Sequence, residues 1–145
     1  MKIASLLIMT SMLLLSGCST TAVNPQTASK VETKIYQDKN GTVPVTIVRD
    51  SGIISARCPM TVFINGRIIA DLMPSEKVEV FLKPGNAMIG LAQLGPGICT
   101  GPGRNERDYQ IIEGQPRYIR ASMDDGGNLD TKPMTLNQSF DGHIM

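Results

Sequence analysis

The sequence has little histidine and no excess of either charge. Its 145 residues include one histidine, His143, and 14 basic against 13 acidic side chains. A Ser-His-Asp or Cys-His catalytic device needs a histidine held by a third group, and a zinc site needs about four closely spaced ligands. We therefore interpret His143, two residues from the end of the sequence, as a solvated residue. The near-neutral charge gives no electrostatic basis for binding nucleic acid.

Long apolar runs are equally scarce. The uncharged stretch near the amino terminus, residues 3–15, contains 13 residues, whereas a membrane-spanning helix needs about 20. This stretch follows Met1-Lys2 and precedes small residues, a pattern typical of a cleaved secretory signal peptide. We predict a signal peptide over residues 1–17, and a transmembrane anchor is the alternative that its length disfavours.

The end of this stretch, Leu15-Ser16-Gly17-Cys18, resembles the lipobox of bacterial lipoproteins. The resemblance implies cleavage between Gly17 and Cys18, a diacylglyceryl group on the Cys18 thiol, and acylation of the new amino terminus. Each buried methylene contributes about 0.8 kcal/mol, so several acyl chains together anchor a protein firmly. Ser19 follows the cysteine where an aspartate would signal inner-membrane retention. The resemblance therefore favours an outer-membrane location. We expect the protein to face the periplasm and to carry the covalent lipid on Cys18 and no other cofactor.

The composition of the remaining chain favours one domain. Removing residues 1–17 leaves 128 residues (145 minus 17), with 13 basic and 13 acidic side chains because only Lys2 is lost. The six aromatic residues and many Val, Ile and Leu residues are enough for one modest core. Residues 19–33 are small and polar and cannot bury enough apolar surface to order themselves. We predict a lipidated amino terminus and flexible tether over 18–40, a β-sandwich domain over 41–122, and a turn and tail over 123–145.

Alternation with a period of two predicts β-strands. Val78, Val80 and Leu82 alternate with Lys77, Glu79, Phe81 and Lys83. Similar patterns lie at residues 43–48, 62–64, 67–69, 87–92, 109–112 and 117–121. Asn65-Gly66 tolerates the positive φ angles of a type I′ hairpin turn, and Pro84-Gly85 favours another turn. Short strands with frequent turn signals predict an all-β fold, either a small antiparallel β-sandwich or a small barrel.

Two segments resemble PEGA-type surface domains and related small β-domains of lipoproteins, which implies an Ig-like β-sandwich. These segments are "VFINGRIIADL" and "KVEVFLKPGNAMIGLA", within residues 62–92. They share a strand, an x-Gly-Lys/Arg turn, a second strand and a later Pro-Gly-x turn with that family. The resemblance implies a non-catalytic domain.

The cysteines that remain after lipidation of Cys18 are Cys58 and Cys99. The space beyond the inner membrane is oxidising, so we predict a disulfide between them. Closing a loop of about 40 residues would restrict the unfolded chain by about 4 kcal/mol. Cys99 lies in "LGPGICTGPG", residues 94–103, which lacks the Gly-Lys-Ser/Thr ending of a phosphate-binding loop. We interpret this segment as a cross-linked loop, with a surface binding loop as the alternative.

Two clusters of charged residues are candidate binding sites. Asp124, Asp125 and Asp130 supply oxygens of the kind that calcium binds, but the spacing and closing glutamate of an EF-hand are absent, which favours a turn. An anion-binding patch could be formed by four arginines, Arg104, Arg107, Arg117 and Arg120. Acidic residues are interleaved with them in the sequence, which favours solvated strand faces of mixed charge. The sequence predicts no metal site and no catalytic residue.

The function that these observations predict is non-enzymatic. We expect an outer-membrane lipoprotein that presents a small β-domain for envelope-structural or protein–protein interaction. The alternatives are a module that binds a cell-wall glycan or inhibits an enzyme and, least favoured, a small hydrolase whose paired acids cannot be recognised from sequence alone.

Overall fold

The computed structural model describes residues 20–136 except 53, 54 and 102, and within them the strands form two sheets. The strands are β1 (Ser29–Val31), β2 (Val43–Arg49), β3 (Met60–Ile64), β4 (Arg67–Leu72), β5 (Glu76–Leu82), β6 (Gly85–Ala92), β7 (Asn105–Ile111), β8 (Arg117–Met123) and β9 (Leu129–Met134). A single turn of 3₁₀ helix, Gly97–Cys99, lies between β6 and β7. The predicted all-β fold is confirmed.

The two sheets pack as a small β-sandwich. One sheet has five strands in the order β1-β5-β2-β8-β9, and the other has four in the order β4-β3-β6-β7. Most neighbouring strands are antiparallel, but β1 pairs with β5, and β2 with β8, in parallel. The predicted antiparallel β-sandwich thus contains two parallel strand pairs as well. They arise because β1 and β8 each reach their partner by a long connection and not by a hairpin.

The core lies between the sheets and follows the predicted alternation. In β5, Val78, Val80 and Leu82 are buried, while Lys77 and Glu79 on the opposite face are half-exposed. Val45 and Val80 are cross-strand partners in the five-stranded sheet. Branched apolar residues that face each other across strands in this way are the main stabilising unit of a sheet. The predicted register of β5 is therefore confirmed.

The predicted hairpin between β3 and β4 is also confirmed. Asn65 and Gly66 have φ angles of 49° and 79°, the left-handed values that a type I′ turn requires at both central positions. Asn65 forms two hydrogen bonds with Met88. The Asn65 backbone amide donates to the Met88 carbonyl at 2.8 Å, and the Met88 backbone amide donates to Asn65 Oδ1 at 2.9 Å. The turn is thus fixed to β6 as well as to its own strands.

The amino-terminal segment differs from the predicted flexible tether over 18–40. Pro25 lies beside Lys77 on the outer face of the five-stranded sheet, and Ser29–Val31 adds a strand to the edge at β5. Val31, Ile35 and Tyr36 pack against the core. Pro25 and Ala28 are buried there, and Lys77 Nζ donates a hydrogen bond to the Pro25 carbonyl. The segment itself is poor in apolar surface. The sheet supplies the missing surface, because Val48 points outward from β2 and is nevertheless buried.

The carboxy-terminal boundary also differs from the prediction. Residues 124–128 form the expected turn, but β9 follows and pairs with β8 along its whole length. Leu129, Thr131 and Met134 are buried, whereas the residues between them are partly or fully exposed. Pro133 lies within β9, and proline is tolerated there because β9 is the edge strand of its sheet. The folded domain therefore extends beyond residue 122.

Candidate functional site

The strand directions place the loops at two opposite ends of the sandwich. The Thr20 end comprises Thr20, Thr21 and the described residues of the loops at 50–59, 73–75, 93–104 and 124–128. The cleft end comprises the segment at residues 32–42 and the turns at residues 65–66, 83–84 and 112–116. Each end carries one group of side chains with a distinct chemistry.

A network of charged side chains fixes Thr20 at the Thr20 end. Asp50, just after β2, has a side chain only 2% exposed, and Arg120 Nε and Nη2 donate to its two carboxylate oxygens at 2.7 and 2.6 Å. Thr20 Oγ1 donates to Asp50 Oδ2 at 2.6 Å, and Arg120 Nη2 donates to the Thr20 carbonyl at 3.2 Å. The hydrogen bonds with Asp50 raise the pKa of Arg120. Such a bidentate charged pair is strong and directional, so it holds Thr20 in one place.

The backbone next to Thr20 is held as firmly. Thr21 and Ser51 form an antiparallel bridge in which each amide donates to the other carbonyl at 2.9 Å. Thr20 Oγ1 also lies 3.2 Å from the carbonyl oxygen of Met123 at the end of β8. The chain therefore enters the domain along the ends of β2 and β8.

Arg49, beside Asp50 in sequence, has a different role. Its side chain points the other way into the protein, where Nη1 donates to the carbonyls of Cys58 and Leu72 at 2.6 Å each, and Nη2 donates to the carbonyl of Ser55 at 2.9 Å. Burial lowers the pKa of Arg49 to about 10, against the opposing effect of Glu76 and Asp50. Carbonyls that are buried without a donor are costly. Arg49 thus holds together the β2–β3 and β4–β5 loops.

The predicted disulfide is confirmed. Cys58 and Cys99 are joined with an S–S distance of 2.09 Å and a Cα–Cα distance of 5.2 Å, linking the 50–59 loop to the 93–104 loop. The glycine and proline frame of Cys99 has a local explanation. A Cβ added at Gly95 would lie 2.5 Å from the Cys99 Cβ, so the loop closes only with glycine at that position. The neighbouring Ile98 is 91% exposed and Leu94 is 61% exposed.

A cleft of about 380 Å³ opens at the opposite end. Its volume falls within the range of small-ligand sites, about 300–1,000 Å³. Two half-buried aromatic rings, Tyr36 and Phe81, contribute to its wall, and the Phe81 amide donates to the Tyr36 carbonyl at 2.8 Å. The remaining wall is formed mostly by small and polar residues, among them Asp38, Thr42, Asn65 and Asn86.

Cations lie over both aromatic rings of the cleft. Lys39 Nζ is 5.1 Å from the centre of the Phe81 ring, and the Arg67 guanidinium is 5.8 Å from the centre of the Tyr36 ring. These distances are within the range of cation–π attraction, about 6 Å. Tyr36 itself has a φ angle of 53°, which is rare for a bulky residue and requires support from its surroundings. The cleft wall therefore combines aromatic surface and hydrogen-bonding groups with the positive charge of Lys83, while Lys39 and Arg67 flank the two rings.

The four arginines considered as an anion-binding patch do not converge. Arg104 contacts Glu106 at 3.0 Å, Arg107 contacts Asp130 at 2.9 Å, and Arg120 pairs with Asp50. Arg117 donates to the Gln110 carbonyl from both Nε and Nη2. Each arginine is thus engaged by a separate partner.

The aspartates considered for calcium form a turn, as the turn interpretation predicts. Asp124 Oδ1 accepts hydrogen bonds from the amides of Gly126 and Asn128, and the Asn128 side chain donates to both carboxylate oxygens. These bonds lower the pKa of Asp124. Asp130 is turned to Arg107 instead. Across the described residues, no three His, Cys, Asp or Glu side chains are placed to hold a metal ion.

Several site residues were not identified from the sequence. Tyr36 and Asp38 fell within the predicted tether, and Phe81 was assigned only to the outer face of a strand. The adjacent charges Arg49-Asp50 directly after an apolar strand were a usable signal, because two charges that end a buried strand need partners. Cys18, Gly17 and His143 lie outside the described residues. Within the described part of the chain, no helix has the length and apolar character needed to span a membrane.

The chain matches no protein-family model, and no curated protein matches it.

Proposed function

We propose that this chain is a non-enzymatic lipoprotein of the bacterial outer membrane, anchored through Cys18, whose β-sandwich presents a binding surface to an envelope partner. The observation that carries the proposal is the separation of the two ends. Thr20, two residues after the lipobox cysteine, is fixed at one end of the sandwich, and the cleft lies at the other. An anchor at Cys18 would therefore direct the cleft away from the membrane.

The cleft favours a cell-wall glycan as a second candidate partner. Sugar rings combine apolar faces, which pack on aromatic rings, with hydroxyls that donate to carboxylate and amide oxygens. Tyr36 and Phe81 supply aromatic surface, and Asp38 and Asn86 supply oxygens beside it. This arrangement supports a glycan-binding role more than an enzyme-inhibiting one, since inhibition of an enzyme does not require a concave site.

Metabolic labelling with a fatty acid tests the anchor. We expect the wild-type protein to incorporate label and Cys18→Ala to incorporate none, because the acceptor thiol is lost. Ser19→Ala is the matched control, since it alters the next residue and keeps the thiol. Label that persists in Cys18→Ala would overturn the lipoprotein proposal.

Two parallel assays test the partner. A pull-down from solubilised envelopes reports a protein partner, and co-sedimentation with purified cell wall reports a glycan. If the cleft binds glycan, Phe81→Ala should lose co-sedimentation while Ile112→Ala, at the same end but outside the cleft wall, should keep it. Equal co-sedimentation of both variants would remove the cleft from the proposal.

A further inference from the structure

We infer that the Thr20 end of the sandwich lies directly on the bilayer, with the apolar tip of the disulfide-linked loop, Ile98 and Leu94, in contact with lipid. This inference rests on the proposed lipidation of Cys18. It adds an interaction surface and an orientation that a lipid anchor alone does not specify.

The first step is the short reach of the anchor. Thr20 is two positions after Cys18, with only Ser19 between them. A fully extended chain spans at most about 3.6 Å per residue, so the two Cα atoms lie within about 7 Å of each other. Thr20 is fixed by Asp50 and Arg120, and Thr21 by Ser51. A lipid on Cys18 therefore holds this end of the domain at the membrane surface, with no long linker between them.

The second step is the position of Ile98. Thr20 contacts the Met123 carbonyl, and Met123 Sδ lies 3.3 Å from Ser55 Oγ. Ser55 in turn lines a shallow surface depression together with Cys58 and Ile98. This chain of contacts places the exposed isoleucine on the same end as the entry point of the chain.

The third step is the rigidity of the loop. The disulfide joins Cys99 to Cys58, whose carbonyl is held by Arg49. Within the loop, Thr100 Oγ1 donates to the Gly95 carbonyl at 2.9 Å and the Thr100 amide donates to the Gly97 carbonyl at 3.0 Å. Ile98 is 91% exposed on a loop that is already ordered. Its insertion into an apolar phase therefore carries no additional entropic cost of ordering the loop.

The charge beside Ile98 suits a lipid headgroup. Arg57 is exposed and lines the same depression, and a guanidinium binds phosphate oxygens in a bidentate manner. Asp124 and Asp125 lie in the turn at residues 124–128 and would be repelled by anionic lipid. The difference predicts an orientation in which the disulfide-linked loop, rather than the β8–β9 turn, faces the headgroups. The contact is weak alone and becomes effective because the anchor raises its local concentration.

The test uses a single fluorescent tryptophan, because the sequence contains none. Ile98→Trp and the control Ile112→Trp, whose residue is 40% exposed at the cleft end, are prepared as full-length lipidated proteins. Both are reconstituted into vesicles of phosphatidylethanolamine and phosphatidylglycerol with brominated acyl chains. We expect the tryptophan at position 98 to shift its emission to shorter wavelength and to lose most of its fluorescence to the brominated lipid. The tryptophan at position 112 should show neither change.

The outcomes separate this inference from the proposed function. If fatty-acid labelling shows that Cys18 is not acylated, the lipoprotein proposal fails and the inference fails with it. If the protein is acylated and bound to vesicles but both tryptophans remain unquenched, the anchor stands and the docking of the Thr20 end is overturned.

Discussion

The Thr20 end and the cleft end of the sandwich are built from the same strands but are stabilised in different ways. At the Thr20 end, residues far apart in sequence are joined by a disulfide, by the Asp50–Arg120 pair and by the carbonyl contacts of Arg49. At the cleft end, the contacts come mainly from turns such as Asn65-Gly66 and from half-buried aromatic rings. One end is held by a covalent bond and by buried charged groups, whereas the other is held by turns, backbone hydrogen bonds and half-buried rings.

The difference shows that this small domain concentrates its buried charged groups at the Thr20 end. Burying charged groups costs desolvation energy that is recovered only with well-placed partners. Asp50 recovers it from Arg120 and Thr20, and Arg49 recovers it from three carbonyls. These interactions converge where the chain enters the fold, as expected if that end must keep a fixed relation to whatever lies before Thr20.

The core between the two ends sets the largest expected effect. Val80 is fully buried, so Val80→Asp places a charge there without a partner and should lower the free energy of unfolding by about 4–5 kcal/mol. Glu79→Lys, one residue away on the outer face, should change it by no more than about 0.5 kcal/mol. Chemical denaturation measures both. Similar losses for the two variants would mean that the register of β5 is wrong.

The disulfide gives the next largest effect and probes the cross-linked end directly. Cys99→Ser removes a link across 41 residues, and we expect a loss of about 2–4 kcal/mol, mainly because the unfolded chain gains freedom. The double variant Cys58→Ser with Cys99→Ser should lose a similar amount, since both variants lack the same bond. Denaturation under non-reducing conditions measures this. An unchanged midpoint would show that the cross-link does not stabilise the Thr20 end.

A substitution of Arg49 tests whether its hydrogen bonds to the loop carbonyls stabilise the Thr20 end in addition to the disulfide. Arg49→Met keeps much of the side-chain volume and removes three donors, so the buried carbonyls of Cys58 and Leu72 lose their partner. Because the variant also removes a costly buried charge, we expect a net loss of only about 2–3 kcal/mol. Arg107→Met, at an exposed ion pair, is the control and should lose less than about 1 kcal/mol. Equal losses would contradict the proposed role of Arg49.

Much of the fold was predictable because its signals are local. The alternation around Val80, the Asn65-Gly66 turn and the pair of cysteines each identified a strand, a hairpin or a cross-link without knowledge of the rest of the chain. The edge strands β1 and β9 were missed for a physical reason. Their order depends on the neighbouring strand for hydrogen bonds and apolar surface, and neither their composition nor Pro133 signals that neighbour.

The candidate sites were less predictable than the fold. The cleft joins Tyr36 to Phe81 across 45 residues (81 minus 36). The charged network joins Thr20 to Asp50 across 30 residues (50 minus 20) and to Arg120 across 100 residues (120 minus 20). Such groupings are set by which strands become neighbours. The parallel pairing of β2 with β8 brings Asp50 to Arg120, and no periodicity in the sequence indicates that pairing.

The smallest expected effect tests the claim that the cleft end depends on local turn geometry. Gly66 has a φ angle of 79° and a Cβ placed there would meet nothing within 4 Å, so Gly66→Ala introduces backbone strain without a steric clash. We expect a loss of about 1 kcal/mol, the cost of a left-handed conformation for a residue with a side chain. Gly103→Ala at the Thr20 end is the matched control, because Gly103 also has open space but no left-handed φ angle. It should leave the free energy of unfolding unchanged or raise it slightly, since alanine reduces the freedom of the unfolded chain. Equal effects of the two variants in chemical denaturation would mean that the hairpin turn does not constrain the cleft end, and the contrast between the two ends would then rest on the cross-links alone.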